Sequence, residues 1–146
     1  ITYCWTNWNQ PEKDISNADE HKFYPDEFND FAARMAWAND GTGNTNPVVV
    51  INGSKSVKPL VIEAKAGETV MLDASATYDA EGDELTFLWW QQMEHGAPVE
   101  IADSSAKTIN VTMPNTVSEP IHIICEVHDN GAFNLVSYRR IIISVK

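Results

Sequence analysis

Two tryptophans side by side, Trp89 and Trp90, close the stretch Gly67–Trp90 (GETVMLDASATYDAEGDELTFLWW), which constrains this chain more than any other. The stretch has the pattern of strand, acidic loop and strand. After the Gly67-Glu68 turn, Val70, Leu72 and Ala74 alternate with Met71, Asp73 and Ser75, the period-2 pattern of a half-buried strand. Asp79 to Asp83 (DAEGD) is a turn-forming cluster whose Gly82 can take a positive φ. Beyond it, Leu85, Phe87 and Trp89 share one face, and Thr86, Leu88 and Trp90 share the other. Successive side chains of a strand point to opposite faces, so the two indoles cannot enter one core. Trp89 continues the apolar face, and Trp90 is expected outside.

The same punctuation continues along the chain. Val48 to Ile51 forms a short strand closed by Asn52-Gly53, a strong hairpin signal. Further strands are expected at Leu60 to Ala64, Val99 to Ala102, Thr108 to Met113 (Ile109 and Val111 inward), Ile121 to His128 and Val136 to Val145. About eight short strands with frequent turns predict an all-β, two-sheet antiparallel sandwich over residues 45–146. An N-terminal arm, residues 1–44, precedes it and carries a helix over 25–38. Pro25 suits the first helical position, and Asp26 and Glu27 complement the helix dipole. Phe28, Phe31 and Met35 fall on one face with Ala32 and Ala38 beside them, Trp37 lies off the stripe, and Asn39 to Gly41 stops the helix. Ile1, Tyr3 and Trp5 alternate as a short strand would, and residues 11–22 are expected to be irregular. Tyr3, Trp5 and Trp8 are expected to pack on the sandwich or on a preceding domain.

The motifs G-E-T-V-x-L-D-A-S, acidic-Gly-Asp and L-T-F-x-W resemble the B strand, BC loop and C strand of a PKD-type, immunoglobulin-like domain. Together with FNDFAARMAW at 28–37, NPVVVING at 46–53, CEVHDNG at 125–131 and YRRIIISV at 138–145, they narrow the resemblance. From residue 25 to its end, the chain resembles the C-terminal domain of bacterial cellulose-binding proteins whose larger N-terminal domain is nucleoside-hydrolase-like. The resemblance implies a secreted, extracellular or periplasmic module that binds cellulose or a related β-glucan. It also implies an alternative, a structural module docked on a nucleoside-hydrolase-like domain. The chain begins at Ile1 with neither a methionine nor a signal peptide, as a mature form or a piece of a longer polypeptide would. The resemblance favours the piece.

Charge narrows the partners. With 21 Asp and Glu against 10 Lys and Arg, the net charge is −11 and there is no basic patch to release counterions. Nucleic acid and anionic membrane are therefore disfavoured, while an uncharged polysaccharide or a cation is compatible. No apolar run approaches the roughly 18–20 residues a membrane span needs. Cys125 alternates with Ile121, Ile123 and Val127 and is expected in the core, although a Cys4–Cys125 bridge is the alternative in an oxidising compartment.

Three kinds of chemistry can be weighed. For catalysis there is no Gly-rich phosphate loop, no HExxH, no G-x-S-x-G and no Cys/His zinc spacing. His21, His95, His122 and His128 are scattered, with His122 and His128 expected outward and solvated. No enzymatic activity is therefore expected. For a cation, the loops gathered at one end of such a sandwich carry Asp79, Glu81, Asp83, Asp103, Asp129 and Asn130, the hard oxygen donors calcium takes. Four of them, Asp79, Glu81, Asp83 and Asp129, form the candidate calcium set; the plainer account is that Asp and Asn are good turn residues. For carbohydrate, flat aromatic rings stack on the apolar faces of sugars while polar neighbours bond the hydroxyls. Trp90 leads, with Gln92 on its side of the strand, Tyr138 and Arg139 (or Arg140) on the last strand, and Tyr78 and Phe133 on loops. The competing account buries Trp90 beneath the Phe28/Phe31/Met35 helix.

Overall fold

The computed structural model describes residues 15–41, 43–116 and 119–146. The chain divides into two compact units, Ile1–Gly43 and Asn44–Lys146. The expected strand over residues 1–6, Cys4 with its alternative bridge, and the rings of Tyr3, Trp5 and Trp8 lie outside the described residues.

In the first unit, α1 spans Ile15–Asp40 and so begins well before Pro25, which lies inside the helix. The expectation of irregular structure is corrected over 15–22, as is that of Pro25 as first helical residue, while residues 11–14 lie outside the described residues. Residues 15–22 lack an apolar period in the sequence, but Ala18, Glu20 and Lys22 are strong helix formers. Gly41 closes the helix at φ 72° and donates its N–H to the Trp37 carbonyl at 2.9 Å, a left-handed cap. The aromatic stripe forms as expected, and it is open. Tyr24 and Phe28 stack with centroids 6.4 Å apart, and Phe28, Phe31, Met35 and Trp37 are all exposed.

The second unit contains β1 (Val50–Ile51), β2 (Ser54–Lys55), β3 (Leu60–Ala64), β4 (Thr69–Asp73), β5 (Leu85–Gln91), β6 (Thr108–Thr112), β7 (Ile121–Asp129) and β8 (Val136–Val145). One sheet has the order β3-β8-β7-β5, a second pairs β4 with β6, and a small hairpin pairs β1 with β2. The hairpin turns through Asn52 (φ 50°) and Gly53 (φ 75°), the two left-handed residues a type I′ turn requires. This is the expected sandwich, with one pairing of different sense. β3 runs parallel to β8, in the register Leu60↔Ile141 to Ala64↔Val145. Side-chain alternation encodes faces and not direction, so nothing in the pattern marks that pair.

Residues 99–102, expected as a strand, are not one. The Gln91 side chain takes the place of a ladder there. Its amide donates to Ala97 O at 2.9 Å and accepts from Val99 N at 2.9 Å, while Trp89 N donates to Ser104 O at 2.7 Å. Val99 and Ile101 still pack against the core.

Both sheets supply that core. Leu72, Ala74, Ile109 and Val111 meet Phe87, Trp89, Ile123, Cys125, Val127, Ile141 and Ile143. Each large apolar side chain so buried contributes about 1.5–3 kcal/mol before chain entropy is counted. Trp89 is 1% exposed and satisfies its indole N–H on Ala106 O at 2.8 Å. Cys125 is a buried free thiol whose pKa burial pushes up to about 12, with the Glu126 charge as a lesser cause. It packs as an apolar residue.

Candidate functional site

The face of the large sheet opposite the core is set by register. Thr86, Leu88 and Trp90 of β5 lie opposite His128, Glu126 and Ile124 of β7, which lie opposite Val136, Tyr138 and Arg140 of β8. Trp90 therefore does face away from the core, and it is half-buried. Its indole N–H reaches diagonally to Glu126 Oε2 at 3.0 Å. The other carboxylate oxygen, Oε1, takes the ring nitrogen Nε2 of His128 at 2.6 Å. Glu126 itself is only 8% exposed. A carboxylate buried to that degree needs partners, and it has one on each oxygen.

Glu126 escaped the sequence reading, although a signal was present. It shares parity with His122 and His128 on a strand whose outward face was legible, so it had to lie beside Trp90 once the pairing was known. His122 and His128, expected to be solvated, are both half-buried. His122 stacks on His95 with centroids 4.3 Å apart. Burial, then the charges of His95 and Arg140, hold its pKa below the usual imidazole value.

The remaining residues proposed for sugar binding divide. Gln92 follows β5, donates its N–H to His122 O at 2.9 Å and stays next to Trp90. Tyr138 is on the outward face. Arg139 is not: in register with Cys125, it points inward, is 2% exposed and donates from Nη2 to Ser54 Oγ at 3.3 Å. Burial lowers its pKa, and neither Nε nor Nη1 has a partner among the described atoms. The outward arginine is Arg140, which is exposed. Tyr78 is exposed, bridged to Val48, and its hydroxyl accepts from Lys55 Nζ at 2.7 Å; Val48 and Lys55 line a groove together with Tyr138. Phe133 stays exposed on the β7–β8 turn at φ 73°.

The acidic end gathers three of the four predicted cation ligands. One oxygen each from Asp79, Asp83 and Asp129 lie within 4.8 Å of one another. Asp79 Oδ1 accepts the N–H groups of Glu81 (2.8 Å) and Asp83 (3.1 Å), which folds the acidic loop around Gly82 at φ 87°. Asp129 Oδ1 accepts from Gly131 N at 3.1 Å and Leu135 N at 2.9 Å. Asn44, in the linker before β1, ties the loops together by donating to Asp129 Oδ2 at 2.8 Å and Ala132 O at 3.0 Å. Glu81 is diverted to the backbone and hydroxyl of Thr45, at 3.1 and 2.8 Å. Asp103 caps its own turn through Ser105 and stands outside the group.

Burial, then Asp79, Asp129 and Glu81, raise the Asp83 pKa above the ordinary carboxylate value. Two oxygens of this region, Asp79 Oδ2 and Asn44 Oδ1, are buried without a partner among the described atoms. A Cβ at Gly131 would run into Asp83 and Asn44, so glycine keeps the space beside them open. The donor set consists of hard oxygens, which fits calcium.

Comparison with known proteins gives three findings. The family model for the C-terminal domain of cellulose-binding protein Sde0182 matches residues 69–145. A nucleoside hydrolase-related protein from Saccharophagus degradans, associated with carbohydrate metabolism, has a similar solved structure, with a TM-score of 0.81 and 36% identity. That match covers 86% of this chain and 32% of the other, so this chain spans about a third of its length. The PKD domain of the KIAA 1837 protein is more distant, at TM-score 0.46 and 16% identity over 72% of this chain and 92% of that domain. No curated protein matches the chain.

Proposed function

The chain belongs to the family of the C-terminal domain of cellulose-binding protein Sde0182, and from that premise we propose that it is a non-catalytic module binding cellulose or a related β-glucan by aromatic stacking. The observation that carries this reading is the outward, half-buried Trp90, held by Glu126 on the sheet face opposite the core. Two strand spacings and two residues separate it from Tyr138, about 12 Å by sheet geometry, which is more than one sugar ring. Gln92, His128 and Arg140 supply donors and acceptors for hydroxyls around the rings. On this face Glu126 engages Trp90 and His128, Arg140 is exposed, and Gln92 Oε1 and His122 Nδ1 are buried without a partner among the described atoms. An extracellular or periplasmic setting goes with the reading, since that is where such polymers are met.

The test is retention of the chain on insoluble cellulose, with Trp90→Ala alongside. Retention of the native chain and its loss in the variant is expected. Equal retention of both would remove Trp90 from the mechanism.

A calcium ion at the acidic end is a second part of the proposal. Asp79, Asp83 and Asp129 would hold it with Asn44, and its charge would offset their mutual repulsion. It is supported by the two unpartnered oxygens of Asp79 and Asn44.

One observation favours a docking role as well. Tyr24, Phe28, Phe31, Met35 and Trp37 leave an apolar helical surface exposed. We propose that it packs on a nucleoside-hydrolase-like domain, of the kind named for the relative of which this chain spans about a third. Co-purification with such a domain, lost in Phe28→Ala/Phe31→Ala, is the expected result. Unchanged co-purification would rule this surface out.

A further inference from the structure

We propose that Glu126 is a positioning residue: a single carboxylate fixes the ring planes of Trp90 and His128 and presents both to one ligand. The proposal rests on the polysaccharide-binding reading of the outer face.

Stacking on a sugar needs a ring held at one angle, and an indole side chain has two rotatable bonds to fix. Ordering it only on contact would cost affinity, whereas ordering it beforehand would not. Glu126 is suited to that task by place. It lies in β7, whose backbone is paired on both sides by β5 and β8, and its registered neighbours are Leu88 and Tyr138. At 8% exposure its carboxylate has little room to move.

Its two oxygens are divided, Oε2 accepting the Trp90 N–H at 3.0 Å and Oε1 meeting His128 Nε2 at 2.6 Å. Hydrogen bonds to an ionised carboxylate are stronger than neutral ones. With Nε2 committed to Glu126, His128 leaves Nδ1 for other contacts, at a ring that is partly exposed. The carboxylate then acts on the ligand through its two neighbours.

The test uses the full chain, with affinity for insoluble cellulose and the near-ultraviolet circular dichroism of the indoles as readouts. Glu126→Leu keeps the packing and removes both acceptors, and Glu126→Gln keeps an acceptor for Trp90. Trp90→Phe keeps a stacking ring and removes its donor. Glu126→Leu is expected to weaken binding about tenfold and change the indole spectrum, Glu126→Gln to stay within about threefold of the native chain, and the Glu126→Leu/Trp90→Phe pair to lose less than the product of the single losses. Native affinity in Glu126→Leu, or multiplicative losses in the pair, overturns the positioning role while leaving Trp90 as a platform. Native affinity in Trp90→Ala, or no retention of the native chain, overturns the underlying reading and this proposal with it.

Discussion

Adjacent residues in a strand occupy different solvents, and the two tryptophans test that separation most sharply. Trp89 is interior, with its N–H bonded to Ala106 O. Trp90 is outward on Glu126. Trp89→Ala opens a cavity between the sheets and is expected to cost about 3–5 kcal/mol. Trp90→Ala loses partial burial and one hydrogen bond, about 1–2 kcal/mol. Urea unfolding with an unchanged slope checks both, and equal costs would contradict the division. This much was legible because alternation fixes faces. The same parity rule was available for β8 and would have separated Arg139 from Arg140, since Tyr138 and Arg139 cannot share a face. The structure keeps to that rule and sends Arg139 inward to Ser54. Glu126 was harder to find, because its role depends on which residue of β5 lies diagonally across, and pairing register is not written in either strand alone.

Among the elements, the acidic loop and α1 carry opposite lessons. The loop's turn chemistry was legible from DAEGD, but its partners were not. Asn44 enters from a linker 35 residues away from Asp79, and Glu81 is captured by Thr45. Asp83 gives the cluster a pH signature. Its raised pKa means the folded chain holds this proton more tightly than the unfolded chain, whose reference is 3.8. Its contribution to stability is therefore present in acid and is lost as pH rises through the folded value. Asp73 and Asp103 act in the opposite sense. Hydrogen bonds from Ser75 and Thr108, and from Ser105, lower their pKa values, so their contributions are lost as pH falls. Only a difference against the native chain isolates the cluster. Asp83→Asn is expected to melt a few degrees higher at neutral pH in the presence of a chelator, with the gap closing in acid. Millimolar calcium should raise the melting temperature of the native chain and leave that of Asp83→Asn nearly unchanged. A calcium shift that survives the substitution would place the ion elsewhere. In α1 the apolar stripe was legible and what it faces was not. Because Phe28 and Phe31 are exposed, Phe28→Ala/Phe31→Ala should alter the stability of this chain by less than about 0.5 kcal/mol per site in urea unfolding. A larger loss would mean the stripe already has a cover within the chain.

At the scale of the whole molecule, charge separates the proposed ligand from its competitors. A chain at −11 carries a field that repels polyanions and gathers cations, and both effects are screened over about 8–10 Å at physiological salt. Stacking of an indole on an uncharged glucan draws on contact area and short hydrogen bonds, which salt hardly touches. Retention on cellulose should then change by less than about twofold between 0.05 and 0.5 M salt. A contact made through the acidic surface, whether to a cationic polymer or through a bridging cation, would weaken steeply over the same range. The comparison also divides the two ends of the sandwich. Chelation should lower the melting temperature if the acidic loops hold calcium, while leaving retention intact, because Trp90 and Glu126 lie on the sheet face and neither belongs to the Asp79, Asp83 and Asp129 cluster. Retention that fell with chelation or with salt would move the glucan contact off the aromatic face and onto the acidic loops, and stacking would no longer be its mechanism.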